Sequence, residues 1–414
     1  MMKMETFKAF RNRNYTLFFS GQSISQIGTW MQRTAISWLV YSITHSVFML
    51  GFTMFAQQFP SFLFSLYGGI IADRYNRHRL LLITQAASML QALCLSISVL
   101  TNHYSITSII IISILLGIIN AFDVPARHSL MPELVKDKSE LPNALALNSS
   151  MVNIARLTGP ALSGFLLQKF GAGMCFLLNA ISFAAVITSL LLLQLQPTQQ
   201  KPNNKNVRRE FKEGIGYLKD TKEISTALVF LALSSLLIIP FDTLLPVFAK
   251  NIFKGNALTF GYLYSFIGTG AIGGTLLLAS LKKDIDLRKM LLTNTVILGI
   301  SLILFSRVSN FISAIPFAVL IGYGVTTLST ICITIIQINS NAAMRGRIMS
   351  FMATAFFGTM PLGNLLIGFV SHTTDVQTTM FCEGVIALII VAVFFFLLKG
   401  NTLNEEITDI TETK

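Results

Sequence analysis

The run Asp73-Arg74-Tyr75-Asn76-Arg77-His78-Arg79 separates two stretches that contain no Asp, Glu, Lys or Arg, residues 34–72 and 80–122. Each stretch is about twice the ~20 apolar residues that carry one helix across a bilayer. Each also holds a polar break, Thr44-His45-Ser46 in the first and Asn102-His103-Tyr104 in the second. Both therefore read as two membrane helices joined by a short turn, with the charged run on the opposite side. Extended along the 414 residues, this reading places helices near 15–42, 47–72, 80–101, 105–131, 142–168 and 172–195. A second set follows near 224–249, 257–281, 288–307, 311–338, 343–371 and 376–398. Composition agrees: 53% of residues are apolar and 12% charged, against roughly a quarter charged in soluble proteins. With 33 Phe and only four Cys, disordered, collagen-like and disulfide-scaffold chains are excluded.

Basic residues accumulate in cytoplasmic loops, so the formal charge of +12 reads as topology rather than as a nucleic-acid surface. With the N-terminus inside, 25 of the 31 Lys and Arg fall in inner segments. Only Lys169, Lys250, Lys254 and Arg307 fall outside, and Arg33 and Arg156 lie within helices. Both termini are expected in the cytoplasm. The four cysteines lie in apolar stretches and read as buried thiols.

The longest polar stretch, residues 196–223, divides the chain into an N-terminal bundle (1–195) and a C-terminal bundle (224–414) with a short cytoplasmic tail. Phe211, Ile215 and Leu218 recur at helical spacing within this linker, which reads either as an amphipathic surface helix or as a solvated connection. The halves echo each other. GGIIADRYNRHRLLL from Gly68 has a degraded counterpart in GGTLLLASLKKDIDLRKMLL from Gly273. Gly159-Pro160 with Gly164 is matched by Pro361-Leu362-Gly363 with Gly368. Two related six-helix halves joined by a central loop are the layout of parallel-repeat secondary transporters.

The segment from Gly69 to Arg79 resembles the Asp-Arg loop of the major facilitator superfamily, with Asn76 where that loop has its second glycine. Asn12-x-Asn14-Tyr15, Gly28-x-Trp30-Met31, Ala121-Phe122-Asp123-x-Pro125-Ala126-Arg127, Asn153-Ile154-Ala155-Arg156-x-x-Gly159-Pro160 and Arg345-Gly346-Arg347 look like the exporter branch that includes enterobactin and macrolide exporters. The resemblance spans essentially the whole chain. It implies twelve transmembrane helices in two six-helix bundles that rock around a central cavity, and drug:proton antiport. It also implies a gating role for the loop residues Asp73, Arg74, Arg77 and Arg79, with lipid anchoring as the alternative for the arginines. Gly159, Pro160 and Gly164 are similar to the antiporter signature, although small residues and proline also serve plain helix packing. One departure stands out: the helix-4 arginine of many drug/proton antiporters is Ser113 here, four residues before Gly117.

Intramembrane charges are costly and by default face a cavity or a partner. Arg33, Arg156, Asp242 and Glu383 are such residues, and Asp123 and Arg127 stand four apart at the rim, where they would pair if the helix runs through Pro125. Asp242 lies between Pro240 and Pro246, an interruption of the kind that lines binding sites. It reads as a titrating or cation-binding group, or as the static partner of Arg33 or Arg156. Arg156 reads as an anchor for an anionic substrate, with an Asp123–Arg156 gate as its rival. Trp30, Gln32, Gln57, Gln58, Asn148, Asn153 and Gln337 are expected to line the cavity, because in the resembling fold their helices face it.

No GxSxG, HExxH or phosphate-cradling glycine motif occurs, so an enzyme or an ATP-driven pump is not expected. No cofactor or metal is called for. The expected protein is a monomeric exporter of a small amphipathic molecule, a siderophore or drug, in the bacterial inner membrane, driven by protons. The alternatives are a lipid-handling transporter and a non-transporting receptor or scaffold on the same fold.

Overall fold

Every regular element among the described residues is helical. The computed structural model describes residues 7–195, 207–280, 285–341 and 344–412, the side chains of residues 73, 207–211 and 397–412 excepted. The first helices are α1 (Arg13–Thr44), α2 (Val47–Arg74), α3 (Arg77–Leu100), α4 (Ile106–Leu130), α5 (Leu141–Phe170) and α6 (Ala172–Leu191). The polar breaks do what their residues favour. His45 and Asn102 take the left-handed conformation, with φ of 50° and 56°, which polar side chains tolerate better than branched ones. Ser46 caps α2 by accepting from the Met49 amide, and Ser105 and Ser108 form a reciprocal cap on α4. Asn76 caps α3 through the Arg79 amide, which gives the residue in the family's glycine position a structural task.

The linker contains a helix, α7 (Val207–Asp220), rather than a plain solvated connection. Gly214 lies against the Phe351 ring, and Glu213 accepts from Arg347 at 2.7 Å. Residues 196–206, with Pro197 and Pro202, lie outside the described residues.

The second half comprises α8 (Lys222–Leu237), α9 (Leu245–Val247), α10 (Ala257–Ser280), α11 (Leu287–Arg307), α12 (Phe311–Asn339), α13 (Arg345–Ala353), α14 (Thr359–Thr373) and α15 (Val376–Glu412). The single helix expected near 224–249 is broken. After α8 the chain winds into a 3-10 turn at Ile239–Leu244 and a π turn at Phe248–Ile252. Pro240 and Pro246 lack the amide hydrogen that a continuous helix would use. Another π turn, Thr354–Gly358, links α13 to α14.

Ten of the described segments are long and apolar enough to cross a membrane. Neither α1 nor α5 is among them, although they contain 32 and 30 residues, about 48 and 45 Å of helix. Their polar content lowers their hydropathy, and these two helices carry Arg33 and Arg156.

Helices α1 to α6 pack mainly on one another, and so do α8 and α10 to α15. The two groups meet where α5 crosses α10 and where α2 crosses α14. Both crossings need glycine. A Cβ on Gly164 would sit 2.9 Å from the Gly261 Cα, and one on Gly51 would sit 2.3 Å from the Asn364 carbonyl oxygen. Both contacts lie toward the ends of the helices remote from the charged loops. Gly164 of the antiporter-like motif is thus seated at the junction between the halves.

Candidate functional site

The broken segment after α8 brings Asp242 to the junction. Its carboxylate meets Arg33 of α1, with Nη2 and Oδ2 3.4 Å apart. The two side chains are 15% and 26% exposed, so this intramembrane pair is only partly buried. Tyr264 of α10 donates to the Asp242 backbone carbonyl at the outer limit of a hydrogen bond, 3.5 Å. Beside it, Thr243 Oγ1 contacts Met54 Sδ at 3.4 Å and Asn364 Oδ1 at 3.2 Å. Asp242 Oδ1 has no hydrogen-bond partner among the described residues.

Trp30 is the centrepiece on the α1 side. The Arg33 guanidinium lies 5.2 Å from its ring centroid and the Arg156 guanidinium 5.6 Å. An aromatic face attracts cations through its quadrupole, so one indole holds two arginines that would otherwise repel. Arg156 makes no ion pair or hydrogen bond among the described residues. The α5 backbone reaches Trp30 because residue 159 is glycine, where a Cβ would lie 2.6 Å from the Trp30 Cβ. Two guanidinium groups therefore face one carboxylate, leaving the cluster with a net positive charge and one cation available to an anion.

The family described as transmembrane secretion effector matches residues 4–411. The chain belongs to this family of the major facilitator superfamily. It is a multi-pass membrane transporter and not an enzyme. It is 29% identical to the staphyloferrin A transporter of Staphylococcus aureus over 398 residues, covering 94% of this chain and 97% of that one. It is 23% identical to the enterobactin exporter EntS of Escherichia coli over 368 residues, or 88% and 86% of the two chains. The fold is similar to the nucleoside transporter NupG, with a TM-score of 0.73, 13% identity and 94% and 99% coverage of the two chains. It is also similar to a bacterial homologue of the lysosomal transporter Spinster, with a TM-score of 0.70, 14% identity and 93% and 97% coverage.

The remaining candidate residues of this facilitator-superfamily chain lie elsewhere. Asp123 accepts from Thr84 at 2.8 Å and from Gln85 at 2.7 Å, and it pairs with Arg127 one helical turn on. Helix α4 does run through Pro125. With these partners Asp123 is not engaged with Arg156, so the Asp123–Arg156 gate is not formed. Gln32 does not line the site: it is 2% exposed and bonds Gln91 at 3.1 Å and Asn179 at 2.8 Å inside the first half. Gln57, Asn148 and Asn153 are half-buried, Gln58 Nε2 is buried without a partner among the described residues, and Gln337 is exposed toward the charged end of α12. Ser113 is 1% exposed, and Gly117 packs against the Gln57 carbonyl. This part of α4 is therefore packing surface.

In the Asp-Arg loop, Arg77 bonds Glu133 at 2.6 Å and the Ser129 carbonyl at 3.3 Å, a tie within the first half rather than across the junction. Arg74 and Arg79 are exposed, and the Asp73 side chain lies outside the described residues. Glu383 on α15 is 1% exposed, and neither carboxyl oxygen has a hydrogen-bond partner among the described residues. Sequence reasoning missed Tyr264 and the placement of Trp30 between the two arginines. The signals available were the three-residue spacing of Trp30 and Arg33 and the tyrosine within an apolar helix.

Proposed function

We propose that this chain exports a small anionic metal chelator of the siderophore class across the bacterial inner membrane by proton antiport. In this reading twelve spans form two six-helix bundles around a central cavity, α1 and α5 included, with both termini in the cytoplasm. The observation that carries it is the pair of guanidinium groups on Trp30 at the junction of the halves, opposed by the single carboxylate of Asp242. Deprotonated carboxylate or catecholate oxygens match Arg156 in charge and geometry. The names of the two sequence relatives support the same substrate class.

The cycle follows from competition for Arg33. With the halves in contact near Gly51–Gly368 and Gly164–Gly261, the substrate enters from the face of the charged loops. Its anionic group takes Arg156 and displaces Asp242 from Arg33. That removes a tie between the halves and lets them rock, a shift driven by differential binding to the two states. Release of the substrate anion outside returns Arg33 to the ionised Asp242, and the inward proton is taken up by an intramembrane carboxyl group on the return.

The experiment is accumulation of staphyloferrin A or enterobactin in inside-out vesicles under an imposed proton gradient. Gradient-dependent uptake is expected, and Arg156→Ala should weaken it roughly tenfold to a hundredfold, the range for a lost charge-assisted hydrogen bond. Uptake that ignores the gradient, or that survives Arg156→Ala unchanged, would overturn the reading.

A further inference from the structure

Glu383 belongs to no ion pair, cap or packing motif described above. It sits on α15, which packs against α11, α14, α8 and the Ile239–Leu244 turn. The Phe230 and Phe394 rings meet edge to face at 4.9 Å. Phe241 lies eleven residues after Phe230 and Glu383 eleven before Phe394, so both lie on the same side of that contact in the antiparallel segments, where α15 touches the turn that carries Asp242.

The neighbouring elements bring no counter-ion. The turn supplies Asp242. Glu223 of α8 and Arg288 of α11 pair with each other at the charged-loop end, where Lys289 joins Asp286. At the opposite end Arg307 stacks on Phe381 at 4.6 Å, and His372 ends α14. Among the described residues none of these bonds Glu383. An ionised carboxylate is costly there without a donor, so the resting side chain is the neutral acid.

We propose that Glu383 is the proton-carrying residue of the transport cycle and that Asp242 exchanges the proton with it. The inference rests on the proton-driven reading above. When a substrate anion seated on Arg156 displaces Asp242 from Arg33, the Asp242 carboxylate loses its counter-ion and becomes the stronger base. The Glu383 acid O–H then breaks, an O–H forms on Asp242, and Glu383 is left anionic. Asp242 passes the proton to water on its open side. Glu383 regains a proton when the halves open the other way, and this order ties one proton inward to one anion outward.

The test is isotope-edited infrared spectroscopy of the full-length protein in phosphatidylethanolamine/phosphatidylglycerol vesicles, with pH as the only variable. At neutral pH the wild type should show the C=O stretch of a protonated, unhydrated carboxylic acid. Glu383→Gln should remove it, Glu383→Asp should shift it, and Asp242→Asn should keep it while slowing its hydrogen–deuterium exchange at least tenfold. A wild type without the band, a band untouched in both Glu383 variants, or exchange unaffected by Asp242→Asn would overturn the proposal. If Glu383→Gln does not fold, the shift in Glu383→Asp decides. None of these readouts needs a substrate, so a wrong substrate class leaves them intact. Conversely, loss of the band assignment leaves the anion site at Arg156 standing.

Discussion

Two carboxylates, Asp123 and Glu383, are each 1% exposed, one in each half of the molecule, and they are treated in opposite ways. Asp123 receives donors from Thr84, Gln85 and Arg127. Glu383 receives none among the described residues. A buried charge with its donors is structural, because folding compensates it locally. A buried acid without donors costs stability, and the protein tolerates that cost where the group changes state during function. Asp242 stands between these extremes, with one cation on one oxygen and, among the described residues, no hydrogen-bond partner on the other. Among the described residues, the first half thus holds the carboxylate whose donors are in place, and the second half holds the two with unpartnered oxygens.

Removing a satisfied carboxylate should do the most damage. Asp123→Ala strands Arg127 and the two donors, and we expect a loss of about 3–5 kcal/mol, read as a lower unfolding midpoint in detergent. Gly159→Ala should cost about 1–3 kcal/mol through overpacking against Trp30, with transport falling further than stability. An intact transport rate there would separate Trp30 from the site.

A surface carboxylate sharpens the scale. Asp375 caps α15 through the Thr378 amide at 2.8 Å and its hydroxyl at 2.6 Å. These bonds, the hydroxyl first, hold its carboxyl below the ordinary carboxylate range. Its contribution is therefore present above the ordinary pKa and lost as pH falls through the depressed one. Asp375→Ala should cost about 1 kcal/mol and remove that acid-limb dependence from thermal unfolding. Glu383→Gln should be the mildest change in stability, below about 1 kcal/mol because no bond is lost, while proton coupling fails. A large destabilisation by Glu383→Gln would erase the contrast with Asp123.

Most of the chain's path was legible from charge. The charge-free stretches, the basic loops and the turns at His45 and Asn102 follow from residue type alone, and Pro240 and Pro246 marked the broken segment. Partnership was harder to read. Gln32 bonds both Gln91 and Asn179, linking three helices, and in sequence such amides look the same as cavity lining. Arg33 and Asp242 were each recognisable as misplaced charges, but their meeting spans 209 positions and depends on packing between the halves. Glycine at 159 carries no label for the indole it admits. Ser113 and Asn76 departed from the family pattern; Asn76 caps α3, whereas the Ser113 hydroxyl is buried without a partner among the described residues.

Trp30 gives the central claim its most direct test, because the chain has only two tryptophans. In a Trp38→Phe background, staphyloferrin A is added to the purified protein and the remaining indole fluorescence is followed. A saturable change that Arg156→Ala abolishes is the predicted result. No change on addition, or the same change in the Arg156→Ala protein, would contradict an anion site built on Trp30 and its two arginines.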